Sequence, residues 1–146
     1  MGTVPTAVTV ITAPAGVGPL GATANAVVSL SLDPPLMLAA LDRNSRTLAA
    51  VQQAGAFGVN VLAADQAELA LRFATKEPHP VKWDGIGWSE LAGIPALDGA
   101  ALAIACELID EIDGGDHSIV TGAVTAISER ETDALVFHRG AYRPLG

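Results

Sequence analysis

Cysteine is almost missing from this chain. Cys106 stands alone, so no intrachain disulfide can form, and a reducing, cytoplasmic setting is expected. Its neighbours Ala103, Ile104 and Ala105 point to a buried thiol instead of a nucleophile. Cations are scarce as well: 8 Lys and Arg face 16 Asp and Glu, for a net charge of −8. Nucleic-acid surfaces need clustered Lys and Arg, so no nucleic-acid partner is expected. No apolar run approaches the ~20 residues of a membrane span, so no membrane role is expected. The first residues lack the basic n-region of a signal peptide. Aromatic residues make up only 4% while half the chain is hydrophobic, so Ala and Val must build the core. His79, His117 and His138 form no set with metal-ligand spacing, and no metal site is expected. No Ser sits in a nucleophile elbow. The acidic pair Asp110-Glu111 reads as a solvated strand end. At 146 residues, one domain spanning 1–146 with a sizeable core is expected.

Many short β-branched segments punctuated by Gly and Pro fill the rest. Val8 to Thr12 reads as a strand and Ala13 to Pro19 as a turn. Gly21 to Leu32 reads as one extended segment, followed by a buried strand from Leu36 to Leu41. Asn44 or Ser45 caps a helix through Leu48 and Val51, with Gly55 as its stop. Phe57 to Leu62 is a strand. Ala64 to Ala74 has helical spacing, with Asp65 in its first turn. Thr75 to Leu97 is irregular, with three prolines. Ala100 to Ile112 and Ser118 to Ile127 flank Asp113-Gly114-Gly115, a strong hairpin signal. Ala134 to Phe137 is a last strand, and Tyr142 lies in the tail. Strands this numerous, with few short helices that do not alternate with them, favour a mainly β antiparallel barrel over a doubly wound sheet.

Gly16-Val17-Gly18-Pro19-Leu20-Gly21 has the spacing of a dinucleotide fingerprint after a strand. That motif needs a helix and then a second strand ending in an acid. The eleven residues between Gly21 and Asp33 cannot hold both. Pro19 also removes an amide that such a loop uses. The segment reads as a Gly-rich hairpin turn.

Four places carry candidate chemistry. Thr23, Ala24, Asn25 and Ala26 join small side chains to an amide that both donates to and accepts from a heterocycle; Asn is uncommon inside a strand. Asp42, Arg43, Asn44, Ser45, Arg46 and Thr47 lie where a strand ends and a helix begins. Capping alone explains them, but free helical amides, hydroxyls and a guanidinium also suit a phosphate. His117 follows Gly115-Asp116 at a strand edge, where an imidazole can touch a second ligand. Arg139, Gly140 and Tyr142 offer a cation, a pliable backbone and an aromatic face.

These segments, in their order and spacing, resemble the flavin reductase family. The likeness includes Thr23-Ala24-Asn25-Ala26, Ser29-Leu30-Ser31-Leu32-Asp33-Pro34-Pro35, Phe57-Gly58-Val59-Asn60-Val61-Leu62 and Arg72-Phe73-Ala74. It continues through Trp83-Asp84-Gly85, Pro95 to Leu102, Gly115-Asp116-His117 and Arg139-Gly140-Ala141-Tyr142. The resemblance implies a split β-barrel of Greek-key-like, FMN-binding type with two or three short helices, working as a homodimer. It implies FMN or FAD as cofactor, NADH or NADPH as hydride donor, and a flavin-dependent monooxygenase as the partner receiving reduced flavin. It places flavin contacts along Thr23 to Ala26, at Asp42, Arg43, Ser45 and Thr47, and near Arg72 and Phe73. It places the nicotinamide at His117, as the catalytic position, and around Arg139, Gly140 and Tyr142. Three departures stand out: the chain starts close to its first strand, Ala26 stands where Ser is common, and Ala7 replaces a usual Gly. An NAD(P)H:flavin oxidoreductase also accounts for the lack of an acid, base or nucleophile, because the cofactors carry the reaction. The alternatives are a non-enzymatic flavin-binding module and a barrel of the pyridoxamine-phosphate oxidase class.

Overall fold

The computed structural model describes residues 2–146. Twelve strands and three short helices follow one another among them. β1 (Thr6–Ala7), β2 (Thr9–Ala13), β3 (Leu20–Ala24), β4 (Val27–Leu32) and β5 (Pro35–Asp42) lead to α1 (Arg46–Ala54) and β6 (Ala56–Val61). α2 (Ala67–Ala74) and α3 (His79–Lys82) come next. β7 (Trp88–Leu91), β8 (Ile94–Leu97), β9 (Leu102–Gly114), β10 (His117–Glu129), β11 (Leu135–His138) and β12 (Ala141–Pro144) complete the chain. The fold is mainly β, as the strand patterns imply.

One antiparallel seven-stranded sheet dominates, in the order β3-β2-β6-β9-β10-β5-β4. β3 and β4 are consecutive in the chain yet lie at opposite edges. Only Asn25 and Ala26 separate them, so the sheet must curl until its edges meet there. No ladder joins β3 to β4; the covalent chain makes the closure. The extended segment read from Gly21 to Leu32 is thus two strands with different partners, broken at the amide-bearing residue. Curvature is helped by register shifts in the β9–β10 pair between Thr121 and Gly122 and between Val124 and Ala126. Gly122 is required at such a point: a Cβ there would lie 2.7 Å from the Phe57 ring and from Cys106 Cβ.

Two apolar clusters fill the interior. Ile11, Leu41, Val51, Phe57, Val59, Ile104 and Val120 form the first between the sheet and α1. Val8, Val10, Leu62, Phe73, Trp83 and Leu135 form the second under α2 and α3. Phe57 and Phe73 are at most 1% exposed, and such burial contributes about 1.5–3 kcal/mol each. Cys106 lies in the first cluster, and burial pushes its thiol up to about 12, which leaves it an inert packing group. Asn60 is buried but satisfied, donating to Val10 O and accepting from Leu97 N–H at 2.9 Å. It stitches the β7–β8 hairpin to the main sheet.

Other departures from the sequence reading have local causes. The turn between β9 and β10 is centred on Gly115 and Asp116, with Gly115 at φ +79°, so it takes only the last residue of the expected Asp113-Gly114-Gly115 and adds Asp116. The stretch after Thr75 contains α3, started by Pro78 and Pro80, and the β7–β8 hairpin turned by Ala92 and Gly93. α2 starts at Ala67 with Gln66 as its N-cap, which leaves Asp65 ahead of the first turn. Tyr142 lies in β12, paired with Phe137 of β11, and not in a loose tail. The Gly16–Gly21 run turns β2 into β3 with no helix after it. Among the described residues, no helix is long and apolar enough to cross a membrane.

Candidate functional site

α1 begins as its sequence dictates. Ser45 is the N-cap, and its Oγ accepts from Thr47 N–H at 3.1 Å and Leu48 N–H at 3.3 Å. Gly55 closes the helix in the left-handed region at φ +67°. Leu48 and Val51 anchor the helix in the core, so its N-terminus is held at one place. That place is the end of β5, where Asp42 Oδ1 accepts from Asn44 N–H at 2.8 Å.

A cleft of about 550 Å³ opens in front of this N-terminus. β3 contributes Thr23, and Asn25 follows it; α2 contributes Phe73; α3 contributes His79 and Lys82. Phe137 and Tyr142, with ring centroids 5.2 Å apart, close it from the small β1-β11-β12 sheet. Burial raises the Tyr142 hydroxyl above its ordinary value.

Two polar atoms in the wall have no partner. Thr47 is 0% exposed, and its Oγ1 is buried and unbonded. Asn25 Oδ1 is in the same condition. Leaving such a group unsatisfied costs ~1–3 kcal/mol, so each is an opening for a ligand. Thr23 Oγ1, by contrast, is occupied: it donates to Ala70 O at 2.7 Å and ties β3 to α2.

The charge of the wall runs against that of the chain. Arg46, Lys76 and Lys82 line the cleft against two carboxylates, Asp42 and Glu77, in a protein whose net charge is −8. Lys82 is only 6% exposed, and among the described residues no carboxylate pairs with it. Burial, then the Arg46 guanidinium, lowers its ammonium below the ordinary lysine range. His79 is pulled down to about 4, first by burial, then by Lys82 and Arg46. Its imidazole is therefore neutral at pH 7, and Nδ1 accepts from Gly21 N–H at 3.3 Å. A helix N-terminus, a buried hydroxyl and unpaired cations together fit an anion such as a phosphate. Asn25 and the small residues around it fit a heterocycle beside that anion.

Of the residues singled out in the sequence, Thr23, Asn25, Asp42, Ser45, Thr47, Phe73 and Tyr142 meet in this cleft. Ala24 is buried behind it and accepts from Thr9 Oγ1. Ala26 is exposed outside it, its carbonyl accepting from Ala40 N–H at 2.9 Å. Arg43 turns away: it pairs with Asp113, and its Nε donates to Gly115 O. Arg72 also points elsewhere, donating from Nη1 to Asp84 O at 2.8 Å. Arg139 and Gly140 form the left-handed turn between β11 and β12, at φ +53° and +74°. His117 is not among the residues that line the cleft; it stands opposite Asp42 in the β5–β10 ladder, with Nδ1 2.7 Å from Asp116 Oδ1.

Sequence reasoning missed His79 and Lys82. Arg46 lies inside the quoted 42–47 segment, where its place in the first turn of α1 marks it out over Arg43. His79 and Lys82 are brought in by α3, whose signal is a Pro at the first helical positions.

The family described as "Flavin reductase like domain" matches residues 1–146. The chain is 41% identical over 139 residues to the reductase subunit HsaB of a flavin-dependent monooxygenase from Rhodococcus jostii, covering 94% of this chain and 70% of that one. It is 36% identical over 143 residues to SmoA of Agrobacterium fabrum, an FMN reductase (NADH), covering 97% and 80%. The solved structure of the NADH:FAD oxidoreductase SgcE6 of Streptomyces globisporus, in complex with NAD and FAD fragments, superimposes with a TM-score of 0.91. It is 31% identical and covers 99% of this chain and 88% of that one.

Proposed function

The chain belongs to the flavin reductase like family, and from that premise we propose that the cleft at the head of α1 is where it holds flavin. Its activity is the reduction of FMN or FAD by NADH or NADPH, and it supplies reduced flavin to a monooxygenase. Held there, flavin would supply the hydride-accepting chemistry and the nicotinamide the hydride-donating chemistry, so the reaction would belong to these two cofactors.

The chain's own residues bind and orient. Arg46 and Lys82 balance the phosphate charge, and the Thr47 hydroxyl donates to it. Asn25 Oδ1 accepts from a ring N–H. Phe73 is held by its edge-to-face contact with Trp83, 5.0 Å between centroids, and stiffens the wall of the cleft. We assign the nicotinamide to His117 and to Arg139, Gly140 and Tyr142, of which Tyr142 alone lines the cleft. The observation that carries this reading is Thr47 Oγ1: it is fully buried, unbonded and at a helix N-terminus, in a cleft it shares with Arg46 and Lys82, neither of which has a carboxylate partner among the described residues.

The protein works as a cytoplasmic homodimer in this reading. Val28, Leu30 and Leu32 leave apolar side chains 47–90% exposed on edge strand β4, which a second copy would cover. NADH and NADPH oxidation, measured with FMN and with FAD in the presence of EDTA, tests the function. Turnover that needs added flavin and persists in EDTA is the expected result. Complete loss in EDTA, restored by metal, overturns it, and flavin binding without turnover assigns a binding module instead.

A further inference from the structure

Arg46 borders more than the hollow in front of α1. Beyond that guanidinium a second groove of about 460 Å³ runs between the β2–β3 turn and α1. The turn residues 14–17 form one wall. Arg46, Ala49, Ala50 and Gln53 form the other. Steps of three and four residues put them on one helix face. Arg46 lines both hollows, so a ligand lying along its guanidinium would follow a path from one into the other.

We infer that this groove receives the adenosine half of FAD, so that the dinucleotide is the preferred flavin; the inference rests on the first cleft being the flavin site. The first phosphate lies with Thr47, whose buried, unpartnered hydroxyl marks that end of the path. A second phosphate joined to it falls beside Arg46, the one charged residue the two hollows share. From Arg46 to Gln53 the helix rises about 10 Å at 1.5 Å per residue, the reach of a ribose carrying a purine. The floor suits a flat ring, since Ala49 and Ala50 project only methyl groups. Val17, 93% exposed at the turn, offers apolar surface for the ring to cover. Gln53 ends the groove with an amide that both donates and accepts, as a purine edge requires. No carboxylate lines the groove, although acids outnumber cations two to one in the chain. FMN would leave all of this without a ligand.

NADH also carries an adenosine diphosphate, so the test separates the two sources. The full-length protein is titrated with FMN and with FAD, following flavin fluorescence. FAD is expected to bind at least tenfold more tightly than FMN. Ala49→Trp and Gly16→Tyr each narrow the groove, and a Cβ at Gly16 meets nothing within 4 Å. Each substitution is expected to raise the FAD dissociation constant tenfold or more and to keep that of FMN within twofold. FMN binding also reports that the variants are folded. Equal wild-type affinity for the two flavins overturns the proposal, as does an equal loss of both in the two variants. A raised KM for NADH in the FMN-loaded variants, with FAD affinity unchanged, gives the groove to the nicotinamide dinucleotide and overturns it as well. Failure of the wild-type protein to bind FMN would strike the first cleft itself, a distinct result.

Discussion

Asp42 and His117 face each other across the β5–β10 ladder, the last residue of one strand against the first of the other. Asp42 lines the cleft and His117 does not, so this register leaves the imidazole one strand away from the cleft wall. Arg43 secures the arrangement: its backbone N–H donates to Asp116 O at 3.2 Å, and its side chain grips the turn through Gly115 O and Asp113. The Asp116 carboxyl is held below its usual range chiefly by the hydrogen bond with His117. With Nδ1 engaged there, Nε2 is the nitrogen that can meet a ligand.

This arrangement predicts a positioning effect without proton transfer. His117→Ala should leave flavin affinity nearly unchanged, yet slow hydride transfer, raise the KM for NADH, or both, since small displacements of reacting atoms are expensive. His117→Asn should keep part of the activity, because an amide replaces one hydrogen bond. Flavin titration and stopped-flow reduction measure the two effects separately. Reduction at the wild-type rate with unchanged NADH dependence would make His117 a structural strand residue.

Ser45 and Thr47 divide a task that the sequence presents as one. Ser45 Oγ caps α1, whereas Thr47 Oγ1 is buried with no partner. Ser45→Ala should therefore destabilise the ligand-free protein by about 1 kcal/mol. Thr47→Val should stabilise it by about 1 kcal/mol, because an unpaired hydroxyl is replaced by a methyl of similar shape. The same valine should raise the FMN dissociation constant roughly tenfold, the loss of one hydrogen bond to a charged group. Riboflavin, which lacks the phosphate, should bind almost as before. Thermal melts and flavin titrations check both signs; an equal loss for riboflavin and FMN would limit Thr47 to packing.

How much of this was legible in the residues depends on the range of the interactions. Ser45 and Gly55 bound α1 through contacts within a few residues, so both ends were readable. The paired strands β9 and β10 announced themselves through the turn between them. Asn25 was conspicuous as an amide amid strand residues, and it marks where the sheet changes edges. Arg43 and Arg46 are equivalent by composition; the ladder that brings Asp113 beside Arg43, and the place of Arg46 in the first turn of α1, separate their roles. His79 stayed hidden because its partner Gly21 is 58 residues away and its helix has four residues. The second groove was invisible for the same reason: its walls come from a turn and a helix joined only by folding.

His79 gives the protein a sign-definite response to acid. Its folded pKa is about 4 against 6.5 unfolded, lowered by burial and by Lys82 and Arg46. Above pH 6.5 the imidazole is neutral in both states and contributes no pH dependence. Below 6.5 the unfolded chain takes up the proton first, so this residue's contribution to stability falls as the pH drops and levels off near 4. The melting temperature should therefore decline across this window. His79→Asn should flatten the decline, since the amide oxygen can still accept from Gly21 N–H but does not titrate. A bound flavin phosphate brings negative charge to the same cations and should raise the folded pKa of His79. The acid-induced loss should then be shallower with FMN than with riboflavin at equal saturation. Melts from pH 4 to 8 on the wild type and His79→Asn, with each flavin, measure both slopes. Parallel slopes for the two proteins would remove His79 from the acid response, and parallel slopes for the two flavins would place the phosphate away from it.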